Sequence, residues 1–326
     1  MNSHELIEQF LTELEAHSDQ SPTRIALLRE LMTRFVELAE LDPDESDLKV
    51  AATVMNELLE AANVFSPWHD HPKLTVFGSA RTKAESPLYE MARQLSATMA
   101  ERGWITVSGA GPGIMEAAAK GAGRENTLGV NIELPFEQNS NPYVDAETRL
   151  VEMKYFFTRK VALTKESLAF AFFPGGVGTM DETFELLTLL HTGKNNPAPV
   201  VLIDSPDGTY WEQWLTFLDD AIIADEYVDD NVGRLFRICH SLTDAIGEIE
   251  HFYSNYVSFD ALHGHGQVRT RRPPSPDELA RLARAVPSLA RGLALDAEDT
   301  IGFDFDGHNF IDVRLFIDEV NGWPQA

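Results

Sequence analysis

The sequence predicts an α/β protein built on a doubly wound parallel sheet, a Rossmann-like three-layer fold, with an N-terminal helical arm and a small C-terminal appendage. From Lys73 onward, short apolar runs alternate with segments of helical spacing, which is typical of a parallel sheet covered by helices on both faces. The residues before this region are acidic and helical in pattern, and the alternation stops after about Tyr256. We therefore divide the chain into an acidic helical arm (1–66), a Rossmann-like domain (67–260) and an appendage of a helix and a β-hairpin (261–326).

The arm is predicted to hold two or three amphipathic helices. Ser21 and Pro22 supply an N-cap and a first-turn proline, and a second helical stretch runs over 46–64. Apolar residues behind the cap recur at three- and four-residue steps and form one stripe: Ile25, Leu28, Met32, Phe35 and Ala39. Because this stripe needs a partner surface and the helices carry no catalytic signature, the segment is most simply a packing or oligomerisation arm, and we expect a homo-oligomer, a dimer or larger.

The Rossmann-like domain is predicted from five apolar runs with helical segments between them. The runs are Leu74–Phe77, Trp104–Val107, Leu128–Ile132, Leu168–Phe173 and Val200–Ile203. The helical segments lie around 87–102, 114–123, 157–166, 179–192 and 210–224. Ligands in such folds bind beyond the carboxyl ends of the strands, so the loops after these runs are the candidate binding loops.

The appendage is predicted to begin with a linker at Arg269–Pro274 and a short helix over 276–286. A strand over 300–305, an Asp306-Gly307 turn and a second strand over 309–316 then form a hairpin. Asp304-x-Asp306 imitates the start of a calcium loop, but Asn309 and Leu315 stand where that loop needs glycine and glutamate.

Composition excludes several classes of function. Lys plus Arg number 26 and Asp plus Glu 52, a net charge of −26, so the surface repels nucleic acid, and an anionic ligand needs local positive charge. Cys239 is the single cysteine, which rules out an internal disulfide and Cys-based metal clusters. The N-terminus lacks the pattern of a signal peptide and no apolar run reaches about 18 residues. We therefore expect a cytoplasmic protein that binds neither nucleic acid nor membrane.

Two glycine-rich loops follow predicted strands. Ser108–Gly113 precedes a helix that starts near Ile114, and its glycines allow backbone amides to approach an anion. A dinucleotide-binding fingerprint would need Gly or Ala at position 114, where this chain has isoleucine, and this weakens the interpretation as a nicotinamide-binding loop. The alternative to a ligand-binding loop is a tight turn between strand and helix. The second loop, Phe172–Glu182, has three glycines and a threonine but lacks the Gly-Lys-Ser/Thr ending of a Walker loop.

Glu182 has two competing interpretations. It is either a functional carboxylate beside a phosphate-binding loop or the third residue of a capping box that begins at Thr179. Upstream, Arg159 and Lys160 lie near the start of a helix, where the dipole disfavours cations. A bound phosphate or a nearby carboxylate would compensate for this pair, and the alternative is a solvated basic face.

Metal sites are not expected. His69-x-His71 and His263-x-His265 lie in linker-like sequence without further ligands. Neither a metal nor a cofactor is therefore assigned.

These residues together resemble the LOG (Lonely Guy) family, often described as possible lysine decarboxylases. The matching segments are the PGGxGTxxE pattern at Pro174–Glu182, the pair Arg159-Lys160, Phe77–Arg81 and Ser108–Met115. The resemblance covers about residues 73–255. It implies a hydrolase that cleaves nucleoside 5′-monophosphates, such as AMP or cytokinin precursors, into free base and ribose 5-phosphate.

The resemblance also implies roles for individual residues. Glu182 would stabilise positive charge on the ribose, and Arg159 would hold the substrate and orient Glu182. The substrate-binding residues would be Ser79, Gly109, Gly111, Lys160, Gly175, Gly176, Val177, Gly178, Thr179 and Thr188. A nucleotide sensor or carrier on the same fold, without turnover, is the alternative. Lysine decarboxylation would need a lysine bound to pyridoxal phosphate, and no lysine here lies in a context that favours it.

Overall fold

The computed structural model describes residues 3–17, 21–134 and 140–324. The chain divides into two compact units, Met1–Asn56 and Glu57–Ala326. Over the described residues, none of the helices combines the length and the apolar character that a membrane crossing requires.

The first unit is helical, as predicted. It contains α1 (Ser3–His17), α2 (Pro22–Glu40) and the start of α3 (Glu45–Phe65). The Ser21 hydroxyl accepts a hydrogen bond from the Arg24 amide, so the predicted N-cap is confirmed. In the predicted stripe, Ile25 is buried whereas Phe35 is exposed. The homo-oligomer expected from this stripe stays a prediction.

A seven-stranded parallel sheet forms the centre of the second unit and confirms the predicted fold. Its strands are β1 (Lys73–Phe77), β2 (Ile105–Ser108), β3 (Thr127–Ile132), β4 (Leu150–Met153), β5 (Ala169–Phe172), β6 (Val200–Ile203) and β7 (Arg237–Cys239). Their order is β4-β3-β2-β1-β5-β6-β7. The chain winds outward from β1 to β4 and then crosses to β5 on the other side of β1. The winding therefore reverses between β1 and β5, which is where such sheets bind ligands.

Helices cover both faces of this sheet. They are α4 (Pro87–Glu101), α5 (Ile114–Ala122), α6 (Phe156–Lys165), α7 (Val177–His191), α8 (Tyr210–Leu218) and α9 (Leu242–Phe252). Alternate strand residues point to opposite faces, so Leu74 and Val76 pack in one core and Phe77 in the other. Phe77 stacks on Phe172 of β5 with ring centroids 4.7 Å apart. These two cores are the interfaces between the three layers.

A four-stranded antiparallel sheet follows. It comprises β8 (Tyr256–Leu262), β9 (His265–Thr270), β10 (Ala294–Ala297) and β11 (Thr300–Asp304), with α10 (Pro276–Ala285) and α11 (Phe310–Asn321). The strand order is β10-β11-β9-β8. The predicted helix over 276–286 is confirmed as α10.

The predicted hairpin on Asp306-Gly307 is wrong, because its second half is the helix α11. Val313, Phe316, Ile317 and Val320 recur at three- and four-residue steps and are all buried, so the period is that of a helix rather than a strand. Asn309 precedes the helix with a left-handed backbone, φ 61°. The predicted linker is also partly wrong, because Arg269 and Thr270 end β9.

Candidate active site

A cavity of about 540 Å³ lies beyond the carboxyl ends of β1, β2 and β5, at the reversal of the winding. The loops after these three strands form much of its wall, together with the first turns of α6 and α7. Its lining residues are Phe77, Gly78, Ser79, Ala80, Arg81, Gly109, Met115, Phe156, Arg159, Leu163, Gly176, Val177, Gly178, Thr179, Asp181 and Glu182. The two predicted glycine loops and the predicted Arg159 helix thus meet at one site.

The second glycine loop ends at an uncapped helix terminus. Gly176 is the N-cap of α7, and none of the described side chains caps the helix. The amides of the first turn have no partner within the helix itself. Such amides, together with the helix dipole, favour an anion. Gly175 is required beneath them, because a Cβ there would lie 2.0 Å from Thr179 Oγ1.

Glu182 lies in the second turn of α7 and points into this cavity. The capping-box interpretation is wrong, because the helix begins at Val177 and its N-cap is Gly176 rather than Thr179. The Glu182 side chain is 7% exposed, and its buried Oε2 has no hydrogen-bond partner among the described residues. Burial raises the pKa of Glu182 to about 7, although the charges of Arg159 and Lys160 oppose this shift.

Arg159 faces Glu182, and its side chain donates to one backbone carbonyl of β3 and to one of the loop after β2. Its Nε donates to Val130 O at 3.0 Å and its Nη2 to Gly109 O at 3.4 Å. Burial lowers the pKa of Arg159, while the charge of Glu182 acts in the opposite direction. A Cβ at Gly109 would lie 2.1 Å from Nη2, so only glycine leaves room for the guanidinium at this position.

Lys160 points away from the cavity, toward α7. Its Nζ lies 2.9 Å from Asp181 Oδ1 and also forms a short ion pair with Glu185. Burial lowers the pKa of Lys160, but the hydrogen bonds to Glu185 and Asp181 outweigh it and raise the pKa overall. Asp181 and Glu185 therefore compensate for the positive charge of Lys160 near the start of α6. A nearby carboxylate was one of the two compensating groups expected from the sequence, and a bound phosphate was the other.

Three other predicted substrate-binding residues do not line the cavity. Gly111 lies behind it, where its carbonyl accepts a hydrogen bond from Asn141 Nδ2 at 3.1 Å. Gly175 supports the loop, and its carbonyl accepts from the Tyr210 hydroxyl at 2.7 Å. Thr188 is exposed on α7 and donates to Phe184 O at 2.8 Å. Their assignment as substrate contacts stays a prediction.

Two groups of residues at the site have no role assigned from the sequence. The first comprises further lining side chains: Phe77, Arg81, Met115, Phe156, Leu163 and Asp181. The second is Glu57, which supports α6 from α3. One carboxylate oxygen accepts from the Lys154 amide at 2.7 Å and the other from the Thr158 hydroxyl. Nothing near Glu57 in the sequence signals this contact, because its partners follow about a hundred residues later.

Glu57→Ala is expected to lower the free energy of unfolding by about 2 kcal/mol, because it leaves the Lys154 amide without its acceptor and leaves the Thr158 hydroxyl only its weaker, neutral acceptor, Tyr155 O. Glu57 is 3% exposed and lies at the start of α6, where the helix dipole favours an anion. Guanidinium unfolding measures the change. The control is Glu45→Ala on the same helix, since Glu45 forms an exposed ion pair with Lys49 worth about 0.5 kcal/mol or less. Equal effects of the two variants would contradict the prediction.

The second histidine pair lies at the turn between β8 and β9. His265 Nε2 lies 2.6 Å from Asp296 Oδ2 within the antiparallel sheet. The described part of the chain contains no group of three or more His, Cys, Asp or Glu side chains suited to a metal ion.

Comparison with known proteins identifies relatives of the second unit. The family described as "Possible lysine decarboxylase" matches residues 114–249. A cytokinin riboside 5′-monophosphate phosphoribohydrolase from Mycobacterium tuberculosis is 28% identical over 172 residues, which are 49% of this chain and 89% of that protein. The enzyme of the same name from Mycobacterium marinum is 30% identical over 164 residues, 49% of this chain and 83% of its own length.

Solved structures similar to this chain include the molybdenum cofactor binding protein from Rippkaea orientalis, with a TM-score of 0.40, 22% identity and coverage of 55% of this chain and 96% of that one. The molybdenum cofactor carrier protein from Chlamydomonas reinhardtii has a TM-score of 0.40, 24% identity and the same coverage of both chains.

A rice enzyme named cytokinin riboside 5′-monophosphate phosphoribohydrolase LOG is 27% identical over 185 residues, 55% of this chain and 72% of its own length. With 30% identity over most of the M. marinum enzyme and the glycine loop, Arg159 and Glu182 gathered at one cavity, this chain belongs to the LOG family.

Proposed function

We propose that this protein hydrolyses the N-glycosidic bond of nucleoside 5′-monophosphates, releasing the free base and ribose 5-phosphate. The observation that carries the proposal is the buried carboxylate of Glu182, which faces Arg159 in a cavity that also contains the uncapped start of α7. The relatives named cytokinin riboside 5′-monophosphate phosphoribohydrolase support the same reaction class.

The phosphate would bind at the first-turn amides of α7, because their partial positive charge suits an anion. The ribose of a substrate bound in this way would lie near Glu182. As the bond from C1′ to the base breaks, the bonding electrons leave with the base and positive charge develops on the ribose ring. A carboxylate at Glu182 stabilises that charge and accepts a hydrogen bond from the attacking water.

The products follow from this geometry. Water adds its oxygen to C1′, one proton is taken up by the departing base, and ribose 5-phosphate remains. Apolar side chains at Phe77, Met115, Phe156 and Leu163 line the same cavity and offer a surface on which a planar base can pack. AMP and cytokinin riboside monophosphates both have such a base, and both are candidate substrates in this proposal.

The test is incubation of the purified protein with AMP and a panel of other nucleoside monophosphates, with the released base identified by mass. Ribose 5-phosphate should appear in equal amount. Binding of AMP without release of base would instead support the alternative, a nucleotide-binding sensor or carrier.

The proposed role of Glu182 predicts a pH dependence. Its pKa is about 7, and the carboxylate is the active form, so kcat/KM for AMP should fall roughly tenfold between about pH 8 and about pH 6. Initial rates at low AMP concentration measure this. The substrate phosphate also titrates near pH 6, so ribose 5-phosphate binding is measured at each pH to separate the two titrations. A flat profile after this correction would contradict the assignment.

A further inference from the structure

Recognition of a phosphate in this protein poses an electrostatic problem. The chain carries a net charge of −26, and a phosphate monoester carries about −1.5 to −2 at neutral pH. Four charged side chains line the cavity in the described part of the chain, namely Arg81, Arg159, Asp181 and Glu182. Two of them are acidic, so helix amides alone would bring the phosphate into a site with little net positive charge.

The two cations of the Arg-Lys pair are already engaged. Arg159 donates to the carbonyls of Val130 and Gly109 and faces Glu182. Lys160 lies outside the cavity lining and its charge is neutralised by Asp181 and Glu185. The phosphate therefore needs a positive charge from another residue.

Arg81 meets this requirement. It lies in the loop after β1 and lines the cavity, and its side chain forms no hydrogen bond or ion pair with any residue that the structure describes. An arginine without such a partner, in the lining of this cavity, has the charge and the freedom to turn toward a ligand. Its guanidinium can bind a phosphate through two parallel N–H···O bonds.

The backbone that carries Arg81 is held firmly, although its side chain is exposed. The Arg81 amide donates to Ser79 Oγ at 3.1 Å, and the Ser79 carbonyl accepts from the Ile114 amide at 3.1 Å. Gly113 packs against the same carbonyl so closely that a Cβ would lie 2.3 Å from it. The first glycine loop thus fixes the position from which the Arg81 side chain extends.

We propose that Arg81 binds the 5′-phosphate of the substrate and makes the site selective for phosphorylated nucleosides. The identity of the substrate rests on the proposed function, but phosphate binding by Arg81 does not require turnover. Arg81 acts here as a binding residue, and Glu182 and Arg159 keep the chemical roles proposed above.

The experiment compares Arg81→Gln with Lys83→Gln. Both variants remove one positive charge from the same loop, but Lys83 is exposed and does not line the cavity. Arg81→Gln should weaken ribose 5-phosphate binding, measured by calorimetry, roughly 10- to 100-fold, and raise the KM for AMP by a similar factor. The kcat should change by less than about threefold, because the contact is made equally in the ground and transition states. Lys83→Gln should resemble the wild type in every measurement.

The outcomes separate this inference from the proposed function. If the wild type releases no base from any monophosphate but Arg81→Gln loses ribose 5-phosphate binding, the inference stands and the hydrolysis proposal fails. If the wild type cleaves AMP and Arg81→Gln binds ribose 5-phosphate as Lys83→Gln does, Arg81 is not the phosphate ligand. Arg81→Lys is a second variant, and it should keep part of the affinity for ribose 5-phosphate because its positive charge remains. Full loss of affinity in Arg81→Lys would contradict a contact based on charge. Full retention would contradict a bidentate contact.

Discussion

Glu182→Gln is expected to lower kcat for AMP by about 100-fold or more, because a neutral amide cannot stabilise the positive charge that develops on the ribose. Binding of ribose 5-phosphate should persist, since the first turn of α7 and Arg81 are unchanged. The control is Glu101→Gln at the exposed end of α4, which should retain full activity. If folded Glu182→Gln turned over AMP at the wild-type rate, the proposed catalytic role of Glu182 would be wrong.

The same substitution should stabilise the protein at alkaline pH. The pKa of Glu182 in the folded protein, about 7, exceeds its ordinary value of 4.5, so ionisation of this carboxyl favours unfolding. This destabilisation is absent below about pH 4.5, grows as the pH rises toward 7 and is then constant, at up to about 3 kcal/mol.

Thermal melting tests this effect directly. Glu182→Gln should melt above the wild type at about pH 8, and the difference should shrink toward zero as the pH falls to about 5. A variant that gains stability while it loses turnover would show that the buried carboxylate serves function rather than folding. A lower melting temperature at alkaline pH would indicate a structural role instead.

Gly109→Ala should reduce kcat/KM for AMP by about 100-fold, since displacing a positioned group by about 1 Å has effects of this size. The added Cβ would lie 2.1 Å from Arg159 Nη2 and 2.9 Å from Met115 Sδ, so the guanidinium must leave its hydrogen bond to the Gly109 carbonyl. Steady-state rates with AMP measure the loss, and the rate with Arg159→Ala gives the expected lower limit.

The matched control for this substitution is Gly247→Ala. Gly247 lies in α9, and a Cβ there would meet no atom within 4 Å. Alanine in a helix interior is favoured over glycine by about 1 kcal/mol, so Gly247→Ala should keep its activity and melt slightly higher. Equal activity of Gly109→Ala and Gly247→Ala would show that the position of Arg159 does not limit the reaction.

Much of the fold follows from local patterns in the sequence. Buried strands of a parallel sheet are short continuous apolar runs and the helices between them have a period of 3.6 residues, so the alternation from Lys73 onward was sufficient to predict the doubly wound sheet. The glycine loops and the PGGxGTxxE pattern also indicate the segments that line the cavity. The strand β4 (Leu150–Met153) was missed because four residues with Glu152 among them do not form a continuous apolar run. The helix α11 was predicted as a strand because the Asp-Gly dipeptide before it has the chemistry of a hairpin turn.

The tertiary structure decided which way the functional side chains point. Arg159 and Lys160 are adjacent, and successive residues in a helix differ in direction by about 100°. One therefore enters the cavity while the other pairs with α7, and the sequence does not say which. Glu57 contacts the start of α6 from about a hundred residues away in the sequence. Whether the Arg81 side chain has a partner also depends on distant segments, and among the described residues none forms a hydrogen bond or ion pair with it. Such contacts depend on packing between distant segments, whereas the strands, helices and glycine loops depend on neighbouring residues. Local sequence patterns are therefore enough to predict the fold and the family but not the charge balance of the site.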